Sequence, residues 1–339
     1  MNLPEIRNAA KAKLKGYCRV CPSCDGRVCA GEVPGMGGTG TGASFKANIE
    51  ALARYRFNMR TIHGVTEPET AMTLFDCPLD TPILAAPMTG TPYNMGGALT
   101  ELEFITAVIQ GSRLAGSIGC SGDGADPTMF DAGLKAIAGE NGWGITFIKP
   151  RAHNEIVARL RRAEAAGARA VGIDIDGAGL VTMVLKGQPV SPKTVAELRK
   201  VIALTALPFV LKGIMTPDEA TLAMEAGAKA IVVSNHGGRI LDHSPGAAEV
   251  LPAIVEAVGT SVTVLADGGV RSGSDVLKLL ALGARAVLVG RPLVVGAFGG
   301  GTDGVRTVLA RMTSELRQAM ILTGCQSVQR VEADILYRT

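Results

Sequence analysis

The sequence predicts a closed (β/α)8 barrel preceded by a short extension. Three observations carry this. From about residue 82 the chain repeats one unit: a short run of Val, Ile, Leu or Ala, a polar or glycine-containing turn, then an amphipathic helix. The apolar runs are continuous rather than alternating, as in parallel strands covered on both faces. Eight such runs within about 210 residues match the size of a barrel.

The predicted strands are Pro82–Pro87, Ala115–Cys120, Gly144–Lys149, Ala170–Asp176, Pro208–Gly213, Ala230–His236, Thr263–Gly268 and Ala286–Gly290. Helical patterns fall at Asn154–Ala166, Pro192–Leu204, Pro217–Ala226, Ala247–Val258 and Ser272–Leu282. The segments EAGAKAIVVS and ALGARAVLVG repeat one turn type into a strand. An open doubly wound sheet is the alternative, but no Gly-x-Gly-x-x-Gly follows the first strand. Residues 1–80 read as an extension with a short helix, a cysteine cluster, the glycine stretch Gly35–Gly42 and a helix over Ser44–Tyr55. Residues 81–339 form the barrel, closed by a helix over Gly304–Leu322 that Thr323-Gly324 terminates.

Composition narrows the class. The 339 residues include 43 glycines, 47% are hydrophobic and 19% charged, which is incompatible with disorder. A net charge of +3 and the lack of a basic, aromatic-interleaved stripe argue against nucleic acid as a partner. No apolar run is long enough to cross a membrane, and the first residues lack an apolar leader core, so a cytoplasmic location is expected. There the seven cysteines read as thiols or metal ligands rather than as a disulfide framework.

In a barrel, chemistry sits at the C-terminal ends of the strands. The sixth strand ends in Ser234-Asn235-His236-Gly237-Gly238-Arg239. A histidine can act as base near neutral pH, and a guanidinium three residues on suits an anionic substrate. The seventh and eighth strands end in Asp267-Gly268-Gly269-Val270-Arg271 and Gly290-Arg291-Pro292, glycine loops where barrels bind phosphate. Lys212, inside the apolar fifth strand, is costly unless paired and can stabilise negative charge on a cofactor. Alternation places Asp174 and Asp176 on one inward side, where one of them could orient His236.

These motifs, with Leu241-Asp242 and the closing Leu322-Thr323-Gly324-Cys325, resemble the FMN-dependent α-hydroxy-acid oxidase and dehydrogenase family. The resemblance implies FMN as cofactor. It would place Asp267, Gly268, Gly269, Arg271, Gly290 and Arg291 at the FMN phosphate, Lys212 beside flavin N1 and O2, Ala86-Pro87-Met88 against the ring, and Ser234 on the cofactor. His236 would be the base, Asp176 its partner and Arg239 the carboxylate clamp. Departures are plain: the family's two active-site tyrosines and second arginine are missing from Pro34-Gly35-Met36-Gly37, Thr146–Lys149 and Gly177–Met183. Tyr17, Tyr93 and Lys149 are the available substitutes.

Cys18, Cys21, Cys24 and Cys29 follow Cys-x2-Cys-x2-Cys-x4-Cys, a spacing open to an iron–sulfur cluster, to zinc, or to thiols or disulfides. The resulting expectation is an FMN-dependent oxidoreductase, a homo-oligomer acting on a small anionic 2-hydroxy acid or related compound. It would be a dehydrogenase with an acceptor other than oxygen. An FMN-dependent isomerase like type 2 isopentenyl diphosphate isomerase, whose flavin-contacting stretch Met88-Thr89-Gly90 resembles, and a non-catalytic flavin or metal sensor are the alternatives.

Overall fold

A computed structural model of the chain describes residues 1–338. Eight parallel strands form one sheet: β1 (Ile83–Ala85), β2 (Cys120–Ser121), β3 (Ile145–Ile148), β4 (Ala170–Asp174), β5 (Phe209–Ile214), β6 (Ala230–Val233), β7 (Thr263–Ala266) and β8 (Ala286–Val289). Successive strands pair from β2 to β8, and β8 returns to β1. The ring closes between β1 and β2 through a single bridge, Ala85 to Gly119, with the Ala85 N–H donating to the Ile118 carbonyl at 3.3 Å.

The continuous apolar runs resolve into two cores because strand side chains alternate. Leu84, Phe147, Val210, Val232, Leu265 and Leu288 point inward and pack together. Their neighbours Ile83, Ile148, Leu211, Val233, Val264 and Val289 face the helices. A small hairpin, Met72–Leu74 with Cys77–Leu79, plugs the far end of the inner core. The same parity brings Ala86, Lys149, Lys212, Ser234, Asp267 and Gly290, each two residues past an inward apolar one, to the inner layer at the strands' C-terminal ends.

Several boundaries differ from expectation, each for a local reason. β2 is only Cys120–Ser121 because Ala115 caps the preceding helix (Glu101–Leu114) and Gly116 turns with φ +68°. β4 stops at Asp174, and a 3-10 turn over Ile175–Gly179 carries Asp176 off the strand alternation. The helix predicted from Pro192 starts at Val195, where Thr194 and Glu197 form a capping box. The closing helix spans Arg291–Thr323 but breaks at Gly300 and Gly301, so its later part is the predicted one.

The N-terminal residues pack on the barrel. The helix Leu3–Lys13 lies against the closing helix, and Ala10, Leu14, Met36, Ala51 and Leu52 join the outer core. The helix Ala43–Ala53 lies beside Ala247–Val258, and Tyr55–Phe57 pairs with Leu336–Arg338. No helix among the described residues is long and apolar enough to cross a membrane.

Beyond β2 and β3, Asp123 and Arg151 form an ion pair whose two side chains are fully buried. Arg151 Nε and Nη2 donate to the carboxylate at 2.7 and 3.1 Å, and Arg159 stands 3.4 Å from it. Asp123→Ala leaves the fully buried Arg151 without its counter-charge, and the expected loss is roughly 3–5 kcal/mol of stability in urea unfolding. A loss below about 1 kcal/mol, the scale of an exposed pair, would mean that water reaches Arg151 after all.

Candidate active site

Four inward side chains from β4, β5 and the ends of β3 and β7 form a ladder of alternating charge. Lys149 Nζ donates to Asp174 Oδ2 at 2.7 Å. Lys212 Nζ lies 3.6 Å from both Asp174 and Asp267 and donates to Ser234 Oγ at 3.1 Å. Burial opposes the Lys212 ammonium, but Asp267 and Asp174 outweigh it and hold its pKa above the ordinary lysine range. Burial equally opposes the Asp174 carboxylate, and Lys149 and Lys212 hold it ionised.

His236 stands just past β6. Its Nδ1 sits 3.1 Å from Asp176 Oδ1, and Ser234 Oγ accepts from its backbone N–H at 3.0 Å. With a carboxylate beside Nδ1, the neutral ring carries its proton there and leaves Nε2 as the free base. Burial lowers the imidazole pKa first, and Lys212 adds to this; Asp176 works the other way but does not prevail. The backbone at His236 is left-handed, φ +57°. Asp176 can approach because β5 bulges at Gly213, φ +106°, where a Cβ would meet the Asp176 carboxyl carbon at 2.6 Å.

The N-terminal extension scaffolds this loop. Asp242 accepts from the N–H groups of Thr41 and Ala43 at 2.5 and 2.9 Å and so caps the helix Ala43–Ala53 from across the fold. Asn48 donates to Asn235 at 2.7 Å. Arg239 donates to the Gly35 carbonyl at 2.5 Å and to Asn94 at 2.9 Å, holding the glycine stretch over the mouth.

Arg239, Arg271 and Arg291 converge here, and all their side-chain hydrogen bonds among the described residues go to carbonyl or amide oxygens. Burial, then the Arg271 and Arg239 charges, push Arg291 below its ordinary range; burial does the same to Arg239. Cations crowded without a carboxylate call for an anion. The buried atoms Arg271 Nη2, Asp267 Oδ1 and Asp174 Oδ1 make no hydrogen bond. Gly268 and Gly269 turn with positive φ and present bare backbone beside them. This donor set fits FMN: guanidiniums and glycine N–H groups for the phosphate, Lys212 and the leftover carboxylate oxygens for polar edges of the ring.

Every cofactor and catalytic residue expected from the sequence lines one cavity of about 140 Å³, except Ser234 and Asp176, which stand behind Lys212 and His236. Of the substitutes for the missing tyrosines, Tyr93 and Lys149 line this cavity. Tyr17 does not; it lines a second cavity with the four cysteines, whose thiols are free. Sequence reasoning assigns no role to Asn94 or Asp123; strand alternation alone leaves Asp174 and Asp176 equivalent, and only the family resemblance names Asp176 as the partner of His236. The Asp-Ile-Asp pattern is the available signal, but the turn after Asp174 separates the two carboxylates, one to the lysines and one to His236.

Fold and site together define a flavin-dependent oxidoreductase on a (β/α)8 barrel. The chain belongs to the FMN-dependent dehydrogenase family, whose model matches residues 35–183 and 180–338. It is 36% identical to a 4-hydroxymandelate oxidase of Amycolatopsis orientalis over 330 residues, 86% of this chain and 89% of that protein. It is 32% identical to a 2-hydroxyacid oxidase of Dictyostelium discoideum over 324 residues, 86% of this chain and 81% of the other. Among solved structures, mandelate oxidase with benzoyl-formic acid matches at a TM-score of 0.80 and 33% identity, covering 99% of this chain and 97% of that one. These are redox enzymes, which decides between the oxidoreductase and the isomerase and sensor alternatives.

The shifts at His236 give a signed expectation. Asp176 raises its pKa and Lys212 lowers it. Followed by NMR, His236 should titrate below an ordinary histidine, lower still in Asp176→Asn, and higher in Lys212→Met. Opposite movement in either variant would mean that the imidazole faces other charges.

Proposed function

We propose that this FMN-dependent oxidoreductase converts a small 2-hydroxy acid to the 2-oxo acid, with His236 as base and Arg239 as carboxylate anchor. The observation that carries the reading is the Asp176–His236 pair, 3.1 Å apart, beside a cavity that Arg239 also lines. Bound FMN supplies the two-electron acceptor.

Arg239 exchanges its contacts with Gly35 and Asn94 for the substrate carboxylate, a charge-assisted gain. That anchor sets the hydroxyl-bearing carbon beside His236 Nε2, which takes the proton the substrate loses. Asp176 then stabilises the imidazolium. Lys212, kept charged by Asp267 and Asp174 and oriented by Ser234, would supply positive charge to bound FMN. Asp267, Gly268, Gly269, Arg271, Gly290 and Arg291 hold the cofactor's phosphate end, and Ala86, Pro87 and Met88 form the wall for its ring. Tyr93 lines the cavity, its pKa pushed up to about 12 by burial, so its hydroxyl is a neutral donor for the substrate. Cys18, Cys21, Cys24 and Cys29 are thiolate ligands of one metal centre, and the enzyme is a dehydrogenase.

His236→Ala should retain FMN yet slow flavin bleaching by a 2-hydroxy acid at least ~10²-fold in anaerobic stopped flow. Unchanged bleaching would place the base elsewhere, with His243 next. Arg291→Ala should lose FMN on dialysis while the molecules still loaded bleach at the parental rate; firm retention would move the phosphate away from this loop.

A further inference from the structure

The four clustered cysteines do not line the cofactor cavity, yet they share one of their own. All four line a cavity of about 490 Å³ between residues 17–29, the loops after β7 and β8, and the closing helix. Each is half-buried and unbonded to another sulfur.

The segment is shaped by contacts from outside it. Arg7 donates to the carbonyls of Val20 and Cys21 at 3.1 and 2.7 Å, and Arg271 Nε donates to the Cys24 carbonyl at 3.2 Å. The Val20 N–H donates to Cys18 Sγ at 3.4 Å, the kind of backbone contact that supports a ligating thiolate. Val20 is left-handed at φ +48°, and Gly26 turns at φ +82° where a Cβ would strike the Phe45 ring.

Size selects among metals. One zinc with bonds of about 2.3 Å draws four sulfurs to within about 3.8 Å of one another. Among the described residues, no three of these ligand sulfurs lie within 4.8 Å of one another. A cluster of several irons spaces its thiolates wider and fills volume, and the Cys-x2-Cys-x2-Cys run is an iron–sulfur spacing. Charge agrees, because Arg7, Arg271, Lys278, Arg291 and two further arginines line the cavity against Asp25 and Asp275, and a four-thiolate cluster is anionic. Position connects the cysteines to the redox site, since Met36, Gly269, Arg271 and Arg291 line this cavity and the cofactor cavity alike.

We propose that Cys18, Cys21, Cys24 and Cys29 bind one iron–sulfur cluster that carries electrons from the flavin site to a one-electron carrier protein. This rests on the flavin reading above. A hydroxy acid becoming an oxo acid gives up two electrons and two protons. The electrons leave through the cluster one at a time, each reducing one equivalent of carrier, and both protons go to solvent. Oxygen is not consumed.

The test uses the full chain purified without air. Flavin content and its bleaching by 2-hydroxy acids are measured first; loss of both sinks the flavin reading, independently of the metal. Iron and acid-labile sulfide should then be present in equal amounts, with an EPR signal after dithionite. The same signal should grow when hydroxy acid alone is added to the wild-type protein. Cys24→Ser should lose iron, sulfide and signal, and its reoxidation by a one-electron acceptor should slow at least tenfold. Zinc without sulfide, or no metal in a protein that still binds and bleaches flavin, overturns the cluster. A cluster that dithionite reduces and hydroxy acid does not overturns the electron path, and this reading needs no variant to fold.

Discussion

The mouth of the barrel depends on one alternating row of buried charge, Lys149, Asp174, Lys212 and Asp267. Each member alone is expensive in a site that excludes water, and each is tolerable because a neighbour of opposite sign stands within reach. The row also governs what sits around it. Burial and then Lys212 disfavour the imidazolium of His236, and Asp176 works against them. One oxygen each of Asp174 and Asp267 is buried without a hydrogen bond, which leaves acceptor capacity at the mouth.

Around this row lies a second layer supplied by the extension. The loop that bears His236 and Arg239 is tied to Ser234 at the end of its own strand. It is held by Asp242 on the backbone of Thr41 and Ala43, by Asn48 on Asn235, and by Arg239 and Arg291 on the carbonyls of the glycine stretch. The extension is thus part of the site's construction. A binding loop with both of its faces satisfied keeps its side chains aimed at small entropic cost.

How much of this could be read beforehand follows from strand parity. Lys212, Ser234, Asp267 and Gly290 stand two residues beyond inward apolar positions, so an apolar run ending in a polar or glycine residue already says which way that residue points. Parity fails where the chain leaves the strand. Asp176 follows Asp174 by two, yet the 3-10 turn sends it to His236 while Asp174 stays with the lysines. Partnerships between distant segments were equally hidden. Nothing near Asp123 announces Arg151, and nothing near Asn48 announces Asn235, because a hydrogen-bond partner brought in by folding leaves no periodic trace.

The left-handed backbone at His236 carries a consequence for how such a site can change over time. For most side chains that conformation costs about 1–2 kcal/mol, while His, Asn and Asp accept it more readily. A lineage that exchanged this base for glutamate or lysine would have to rebuild the turn as well as the chemistry. The two glycines that follow, Gly237 and Gly238, are also left-handed, and at Gly238 a Cβ would sit 2.3 Å from the Phe45 nitrogen. Drift toward glutamate or lysine is therefore opposed by chain geometry as well as by chemistry.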